Sequence, residues 1–458
     1  MRRSHPVRPA GAAPGPRLVL PALLALLAAP VALLPLGGCS DSTDPGDGDG
    51  APGPFRSAAS CGVCHPQHFA EWVSSMHAFG GVDPVMIAAA ELARAELGQA
   101  AGDACHDCHS PSLKRQRDWL ASLPPTVDPL VEDVSLDGIS CDVCHSIDLI
   151  PPAGDISFLA DVDPSGPKLG GIRDPIPNEA HESKHDDSFQ TSVQCRSCHQ
   201  IFLENGVGVE NTFREWLDSN GAGMGQECQT CHMPGYTGQA AIGGPADRTV
   251  HHHTFIGVDF ATVPYRGVDR DRQIAAVDSL LRNSVTVSPD VPASAAAGSP
   301  LTLRFPVRND KVGHSIPSGT SFAREMWIRL SVRDARDSLV HRSGWLEGAD
   351  STLVDVATDP SLVSFGSHLL DAQGDRTFFL WRAVDIDESR LLPSGAVRDA
   401  DYTFDVPVDA VGPLTVDVAL RFRAFAPEQL LELGLTDLLP VHVFDMWTPP
   451  APYVIPLR

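Results

Sequence analysis

The spacing of apolar residues divides this 458-residue chain into three regions of different predicted structure. An uncharged apolar run covers residues 18–36, directly after a short basic start. Much further on, the segment DRQIAAVDSLLRN repeats apolar residues at the spacing that places them on one helix face, and these residues are Ile274, Val277, Leu280 and Leu281. Between these two patterns the sequence has few sustained apolar periods and many Gly, Pro and Asp residues.

The region from about Ser284 onward alternates apolar and polar residues, which is typical of half-buried strands. In the segment LTLRFPVRN, the alternate residues Leu301, Leu303, Phe305 and Val307 are apolar and would lie on one face of a strand. The segment LTVDVALRF shows the same alternation. Further strand-like runs are MWIRLSV, DSLVHRS, RTFFLWR and DYTFDVP, each bounded by turn-rich sequence. Seven or so short strands predict an all-β sandwich domain over residues 284–458.

The N-terminal apolar run, preceded by four arginines, predicts a signal peptide over residues 1–38. It ends in Leu36-Gly37-Gly38-Cys39, which resembles a bacterial lipobox, so we expect Cys39 to become a lipidated N-terminus. Residues 39–56 are rich in Asp, Gly and Pro and predict a flexible tether. We therefore expect an exported chain held at the outer membrane, on its periplasmic face or at the cell surface. The resemblance to bacterial lipoproteins implies the outer rather than the inner membrane, because Ser40 follows the cysteine.

The strong negative charge of the mature chain restricts the classes of molecule that it can bind. The chain carries a formal net charge of −24, and the segment removed with the signal peptide holds four of its 34 basic residues and none of its 58 acidic ones. The mature charge of −28 excludes nucleic acid as a partner and would attract basic redox proteins.

Ten of the eleven cysteines lie in five copies of Cys-x-x-Cys-His, the motif that attaches c-type haem. Two thiols add to the haem vinyl groups and the adjacent histidine is the proximal iron ligand. Zinc ribbons and disulfide frameworks also use paired cysteines, but neither requires a histidine after every second one. The sequence therefore predicts five covalently attached haems c, held by Cys61, Cys64 and His65; Cys105, Cys108 and His109; Cys141, Cys144 and His145; Cys195, Cys198 and His199; and Cys228, Cys231 and His232.

These motifs define a predicted pentahaem cytochrome c domain over residues 57–283, mainly α, rich in loops and organised by its haems. Short helices are predicted in PQHFAEWVSSMHAF after the first motif and in TFREWLDS before the fifth. The whole chain is thus predicted to be multidomain, with the haem domain followed by the β-sandwich.

Six-coordinate iron needs a second, distal ligand, and twelve histidines remain after the proximal five and His5 of the signal peptide. His77 follows the first motif by one helical stretch and is suited to a neighbouring iron. His106 lies inside the second motif, from where it reaches another haem or points to solvent. The segment HESKH offers His181 and His185, of which we expect one to be a ligand.

Two more candidates follow the fifth motif. The run His251-His252-His253 can provide at most one or two ligands, and we prefer His251 or His253. His314, in NDKVGHSIPSG, belongs to the β region, and ligation by it would join the two domains. The remaining histidines are expected to be structural or exposed, namely His68, His341, His368 and His442.

The segments CGVCHPQHFAEWVSSMHA, SVQCRSCHQ with TFREWLDS, and GQECQTCHMP resemble the multihaem cytochromes c that include the nitrification tetrahaem carrier and the haem core of hydroxylamine oxidoreductase. The segments NDKVGHSIPSG and RLLPSGAVRDADYTFDVP look like the β-sandwich of secreted cytochromes of extracellular electron transfer. The resemblance implies closely stacked haems. The chain departs from the enzymes of this group, since it has no Cys-x-x-Cys-Lys motif and only four tyrosines.

Three functions fit these features. The first is a lipid-anchored electron carrier that passes electrons between redox partner proteins and has no catalytic residues. The second is an oxidoreductase acting on a small nitrogen or sulfur compound, which needs one five-coordinate iron. The third is a subunit of a cytochrome filament or another homo-oligomer, in which a neighbouring subunit completes a terminal haem.

Intact-mass spectrometry of the purified mature protein tests both covalent predictions. We expect a chain that begins at Cys39 with acyl groups and carries five haem additions. A Cys39→Ser variant should lose the acyl mass and keep all five haems. Fewer than five haem additions in fully matured protein would contradict the motif assignment.

Overall fold

The computed structural model describes residues 55–122, 132–147 and 162–458. The predicted signal peptide, Cys39 and the tether up to Pro54 lie outside the described residues. All the described residues belong to one compact unit, Asp41–Arg458. The boundary between residues 283 and 284 therefore stays a prediction about domains.

Helices occupy mainly the first half of the described chain, and all but the last end by Arg282. The described residues form twelve α-helices: α1 Ala58–Gly62, α2 Pro66–Val73, α3 Met76–Phe79, α4 Pro84–Leu97, α5 Gln99–His109, α6 Pro111–Ser122, α7 Cys141–Cys144, α8 Thr212–Leu217, α9 Asn220–Gly223, α10 Cys228–His232, α11 Arg270–Arg282 and α12 Pro427–Glu432.

The helix predicted after the first motif is divided into α2 and α3. The break falls at Ser74 and Ser75, where the Ser75 hydroxyl accepts a hydrogen bond from the Ala78 N–H and so begins the second helix. The next helix, α4, was not predicted. Asp83 caps it by accepting from the Val85 N–H at 3.0 Å, and its buried face is made of small and apolar side chains, namely Val85, Met86, Ala90 and Ala93.

Strands lie both among the helices of the haem region and after them. The small strands of the haem region are β1 Lys168–Gly170, β2 Ser183–His185, β3 Ile201–Phe202, β4 Gly208–Glu210, β5 Gly235–Gly238 and β6 Arg248–His251. The strand-rich region contains β7 Thr286–Val287, β8 Pro300–Arg304, β9 Val307–Arg308, β10 Glu325–Arg333, β11 Leu339–Ser343, β12 Leu346–Glu347, β13 Thr352–Leu353, β14 Ser364–Leu370, β15 Arg376–Thr377, β16 Asp385–Arg390, β17 Val397–Arg398, β18 Asp401–Asp405, β19 Leu414–Arg423, β20 Phe444–Trp447 and β21 Tyr453–Ile455.

The long antiparallel pair of β10 and β19 is the centre of the strand-rich region. It runs in continuous register from Glu325 opposite Arg423 to Arg333 opposite Thr415. The main sheet has the order β15-β14-β10-β19-β20, with β11, β16 and β21 pairing onto it, and smaller sheets contain β8 with β18 and β7 with β9 and β17. Buried side chains of both β8 and β10 belong to a single apolar core. Helix α11 packs Val277 and Leu281 into this core, with Ile274 partly buried against it, as its spacing predicts, whereas Leu280 is not part of the core.

The strand predicted over RTFFLWR is wrong for most of its length. Only Arg376–Thr377 is a strand, and Leu380–Arg382 forms a 3-10 turn. Phe378 and Phe379 are both buried, whereas successive residues of a strand point to opposite faces. The Thr377 hydroxyl accepts a hydrogen bond from the Phe379 N–H at 3.2 Å, which supports the turn.

The helical region has no apolar core of comparable size among its described residues. One cluster consists of Phe55, Val143, Ile147 and Val162, and another gathers six residues around Trp72 and Tyr265. Clusters this small leave room for the haems to supply apolar surface, in accord with the sequence-based expectation.

A buried carboxylate joins three segments of the helical region. Asp137 is fully buried; it accepts the Ala58 N–H at 2.7 Å and pairs with the Arg266 guanidinium at 2.7 Å. The neighbouring Tyr265 hydroxyl lies 3.1 Å from the carbonyl oxygen of Ala78. Asp137 therefore fixes the first motif and the 265–266 segment against the loop before the third motif.

We expect Asp137→Ala to lower the free energy of unfolding by about 3 kcal/mol, because a buried ion pair loses one partner and the Ala58 N–H loses its acceptor. Thermal unfolding of the haem-loaded protein measures the change. Asp133→Ala is the control, since Asp133 lies exposed in the same loop. Equal melting temperatures for the two variants would contradict this role of Asp137.

Candidate functional site

Each of the five Cys-x-x-Cys-His motifs forms or ends a short helical turn. The helices α1, α5, α7 and α10 contain four of the first cysteines, and a 3-10 helix at Ser192–Cys195 contains the other. In the first, third and fourth motifs the histidine N–H donates to the carbonyl of the first cysteine at 3.0 Å. This turn brings the two cysteines and the histidine of one motif to the same side of the backbone, as attachment of one haem requires.

The cysteine side chains of different motifs also meet. Cys61 lies beside Cys141, Cys108 lies beside Cys198, and Cys195 lies beside Cys228. Nine of the ten motif cysteines carry free thiols. The thiol contacts bring the first motif beside the third, and the fourth beside both the second and the fifth.

Three proximal histidines are oriented by backbone carbonyl groups. The Nδ1 atoms of His65, His145 and His232 lie 2.6, 2.5 and 2.8 Å from carbonyl oxygens of residues 240, 169 and 256. A hydrogen bond from Nδ1 fixes the tautomer that leaves the Nε2 lone pair free for a metal. His199 has no such carbonyl, but its Nδ1 lies 3.9 Å from the Glu210 carboxylate. The sequence holds no signal for these carbonyl partners, since every residue has a carbonyl.

Four of the five proximal histidines face a second imidazole at nearly the same separation. The ring centroids are 6.3 Å apart for His65 and His181, 6.3 Å for His77 and His199, 6.4 Å for His145 and His253, and 6.5 Å for His232 and His314. Two imidazoles that bind one metal through Nε2, each at about 2 Å, have centroids about 6 Å apart. The described residues therefore fit four bis-histidine irons.

Burial keeps the facing imidazoles neutral, which is the state that binds iron. It lowers the pKa of His77 to about 3 and that of His314 to about 4, with nearby histidines adding to the effect. Burial also lowers the pKa of His253 to about 3. Each of these rings keeps its lone pair at neutral pH.

The other distal candidates from the sequence stand in no such pair. His185 directs Nε2 to the Asp187 carboxylate at 2.9 Å, and His251 directs Nδ1 to the Met233 carbonyl at 2.6 Å. His106 has its Nδ1 2.5 Å from the Ser110 hydroxyl. Geometry thus favours His181 over His185 and His253 over His251, and it gives His106 no facing proximal histidine.

His109, in the second motif, differs from the other proximal histidines. Burial lowers its pKa to about 4, as for the ligand pairs. Among the residues that the structure describes, no imidazole ring faces it at the separation found for the other four. The nearby surface is charged, with Lys114 paired to Asp107 and Arg94 bonded to Asp103.

Gly138 is a positioning residue that the sequence did not reveal. A Cβ atom built there would lie 2.2 Å from the carbonyl oxygen of His77, so only glycine fits. The backbone N–H of Ile139 donates to the same carbonyl at 2.8 Å. The segment DGIS before the third motif therefore sets the position of His77.

Comparisons with known proteins agree with these motifs. The sequence model of the family "Cytochrome c554 and c-prime" matches residues 60–146, which contain the first three motifs. A solved structure, the penta-haem cytochrome c552 from Thermochromatium tepidum, shares 19% identity at a TM-score of 0.58, with 86% of this chain and 98% of that chain covered. No curated protein matches the chain.

Within residues 55–122, 132–147 and 162–458, no helix has both the length and the apolar character needed to cross a bilayer. The family match over three motifs, the shared fold and the facing imidazoles support a multihaem cytochrome c, with covalently bound haem and a general role in electron transfer.

Proposed function

We propose that this protein is an electron carrier with five covalently attached haems, four of which hold their iron between two histidines. The observation that carries the proposal is the set of four imidazole pairs with centroids 6.3 to 6.5 Å apart. Two strong axial ligands leave no open position for a substrate, so such irons exchange electrons and bind little else. The proposed ligand pairs are His65 with His181, His199 with His77, His145 with His253, and His232 with His314.

The thiol contacts between motifs support a proposed route for the electrons. Haems are numbered here by the order of their motifs. Haem 1 adjoins haem 3, and haem 4 adjoins haems 2 and 5, because their cysteines touch. The Gln194 side chain donates to the Cys144 carbonyl at 3.2 Å and so links the third motif to the fourth. The proposed route runs through haems 1, 3, 4 and 5, with haem 2 beside haem 4.

The cellular location and the partners of the carrier are inferred from the sequence. We propose that Cys39 is lipidated and holds the mature chain at the outer membrane, where the acidic surface receives basic redox proteins. We also propose that the strand-rich region is a β-sandwich. In support of that fold, the buried side chains of β8 and of the β10–β19 pair share one core although they belong to different sheets.

The run His251-His252-His253 provides a matched test of the ligand assignment. We expect His253→Ala to convert one haem from low to high spin, because the iron at His145 loses its facing imidazole. Neighbouring His251→Ala should leave the spin state unchanged, since among the described residues no proximal histidine faces His251 at this separation. Resonance Raman and electron paramagnetic resonance spectra of pure, haem-loaded protein report the result. The reverse outcome would contradict the assignment.

A second function is favoured by His109 alone. With no facing imidazole among the described residues, haem 2 has an iron position open to a small ligand, as an oxidoreductase of small nitrogen or sulfur compounds needs. His106 lies within the second motif, and Lys114 and Arg94 are charged groups near it. These side chains could bind an anion or move a proton there.

Ligand binding to the native protein separates the two functions. If haem 2 is open, one haem in five is high-spin as purified, and cyanide or nitrite binds at one site per chain. Spectral titration measures this stoichiometry. A spectrum with low-spin haem alone and no binding would exclude the oxidoreductase and leave the electron carrier.

A further inference from the structure

His314 is carried by a loop that crosses from the strand-rich region to the haem region. On the strand side the loop is held by Asn309, which is fully buried. The Asn309 side-chain N–H groups donate to the carbonyl oxygens of His314 at 2.8 Å and Leu392 at 3.0 Å. These bonds fix the start of the loop but leave its far side to other contacts.

The far side of the loop is held by one carboxylate of the haem region. Glu215, on helix α8, accepts the Ser315 N–H at 3.1 Å and the Ser318 hydroxyl at 2.6 Å. From the same helix, Thr212 accepts the Gly319 N–H at 3.0 Å. The loop is thus bound to α8 immediately after His314 and again four and five residues further on.

Helix α8 is itself fixed to a proximal histidine. The Phe213 N–H donates to the carbonyl oxygen of His199 at 3.0 Å, so the helix cannot move independently of the fourth motif. Through Glu215, helix α8 of the haem region fixes the position of the loop that holds His314 opposite His232.

Glu215 does not lie where a charged carboxylate would stabilise the fold. It is partly buried, and no described lysine or arginine forms an ion pair with it. Burial, together with the nearby carboxylates of Glu210 and Glu388, raises the pKa of Glu215 to about 7. Such a carboxylate is costly in the fold, but it makes stronger hydrogen bonds than a neutral acceptor.

We propose that Glu215 is a positioning residue for the fifth haem, and that its carboxylate holds the 314–318 loop so that His314 stays opposite His232. The inference rests on the proposed ligation of that iron by His314. It assigns to Glu215 a role that neither the motifs nor the family match contains, because Glu215 lies outside residues 60–146 and touches neither imidazole.

The test uses the purified, haem-loaded full-length protein and five variants. Glu215→Ala removes the acceptor, Glu215→Gln keeps a neutral one, and Ser318→Ala removes one donor. Glu204→Ala is the matched control, since Glu204 is an exposed glutamate of the same segment between the fourth and fifth motifs. His314→Ala defines the spectrum of a fifth haem without its distal ligand.

We expect Glu215→Ala to make the fifth haem high-spin in resonance Raman spectra, and added imidazole to return it to low spin. Glu215→Gln should keep the low-spin state, because its amide oxygen accepts the same hydrogen bonds. In Ser318→Ala, cyanide should bind the fifth haem about tenfold faster than in the unmodified protein, because one hydrogen bond to a charged group is lost. Glu204→Ala should match the unmodified protein.

The outcomes distinguish the ligation of the fifth iron by His314 from the positioning role of Glu215. If His314→Ala leaves the spectrum unchanged, the proposed ligation fails and Glu215 has nothing to position. If His314→Ala is high-spin while Glu215→Ala keeps the unmodified spectrum, the ligation stands and the role of Glu215 is overturned. Should Glu215→Ala not be recovered with haem, an unchanged cyanide rate in Ser318→Ala overturns it instead.

Discussion

If the proposed ligation is right, the fold of the haem region depends on one geometric requirement, which is that two imidazoles stand about 6 Å apart on opposite sides of an iron. The four pairs that meet it join residues about 80 to 120 positions apart in the chain. Closing loops of this length is costly in chain entropy, and the region has few apolar side chains to offset the cost. In the proposed holoprotein, metal bonds and porphyrin surface take the place that an apolar core has elsewhere.

In the strand-rich region, apolar side chains form the core. Its single core joins α11 to several sheets, and the β10–β19 pair keeps an unbroken register over nine residues on each strand. Such a core gives a rigid support, on which the loop bearing His314 rests through Asn309. The strand-rich region contains no haem motif, but it would contribute to the haem site by supporting this loop.

Sequence alone predicts the attachment residues, because the motif requires two cysteines and a histidine at fixed spacing. It could also single out His77 and His314 as candidates, which now face His199 and His232. It could not choose His181 over His185, because that choice depends on which ring faces His65 after folding. For Gly138 and the carbonyl partners of the proximal histidines the signal lies in the backbone, which sequence patterns do not reveal. The wrong strand over RTFFLWR and the missed helix α4 show the same limit, since burial in the fold decided both.

The position of His314 has a consequence for the biosynthesis of the protein. In each proposed pair one histidine leaves the ribosome long after the other, and the later partners appear in the order His181, His199, His253 and His314. If the chain is exported and matured from its N-terminus, its irons acquire their second ligand in that order. The fifth haem is then the last to close, and it stays open to outside ligands until the loop beyond β9 has docked on α8. Completion of the strand-rich region would therefore serve as the final step of cofactor maturation.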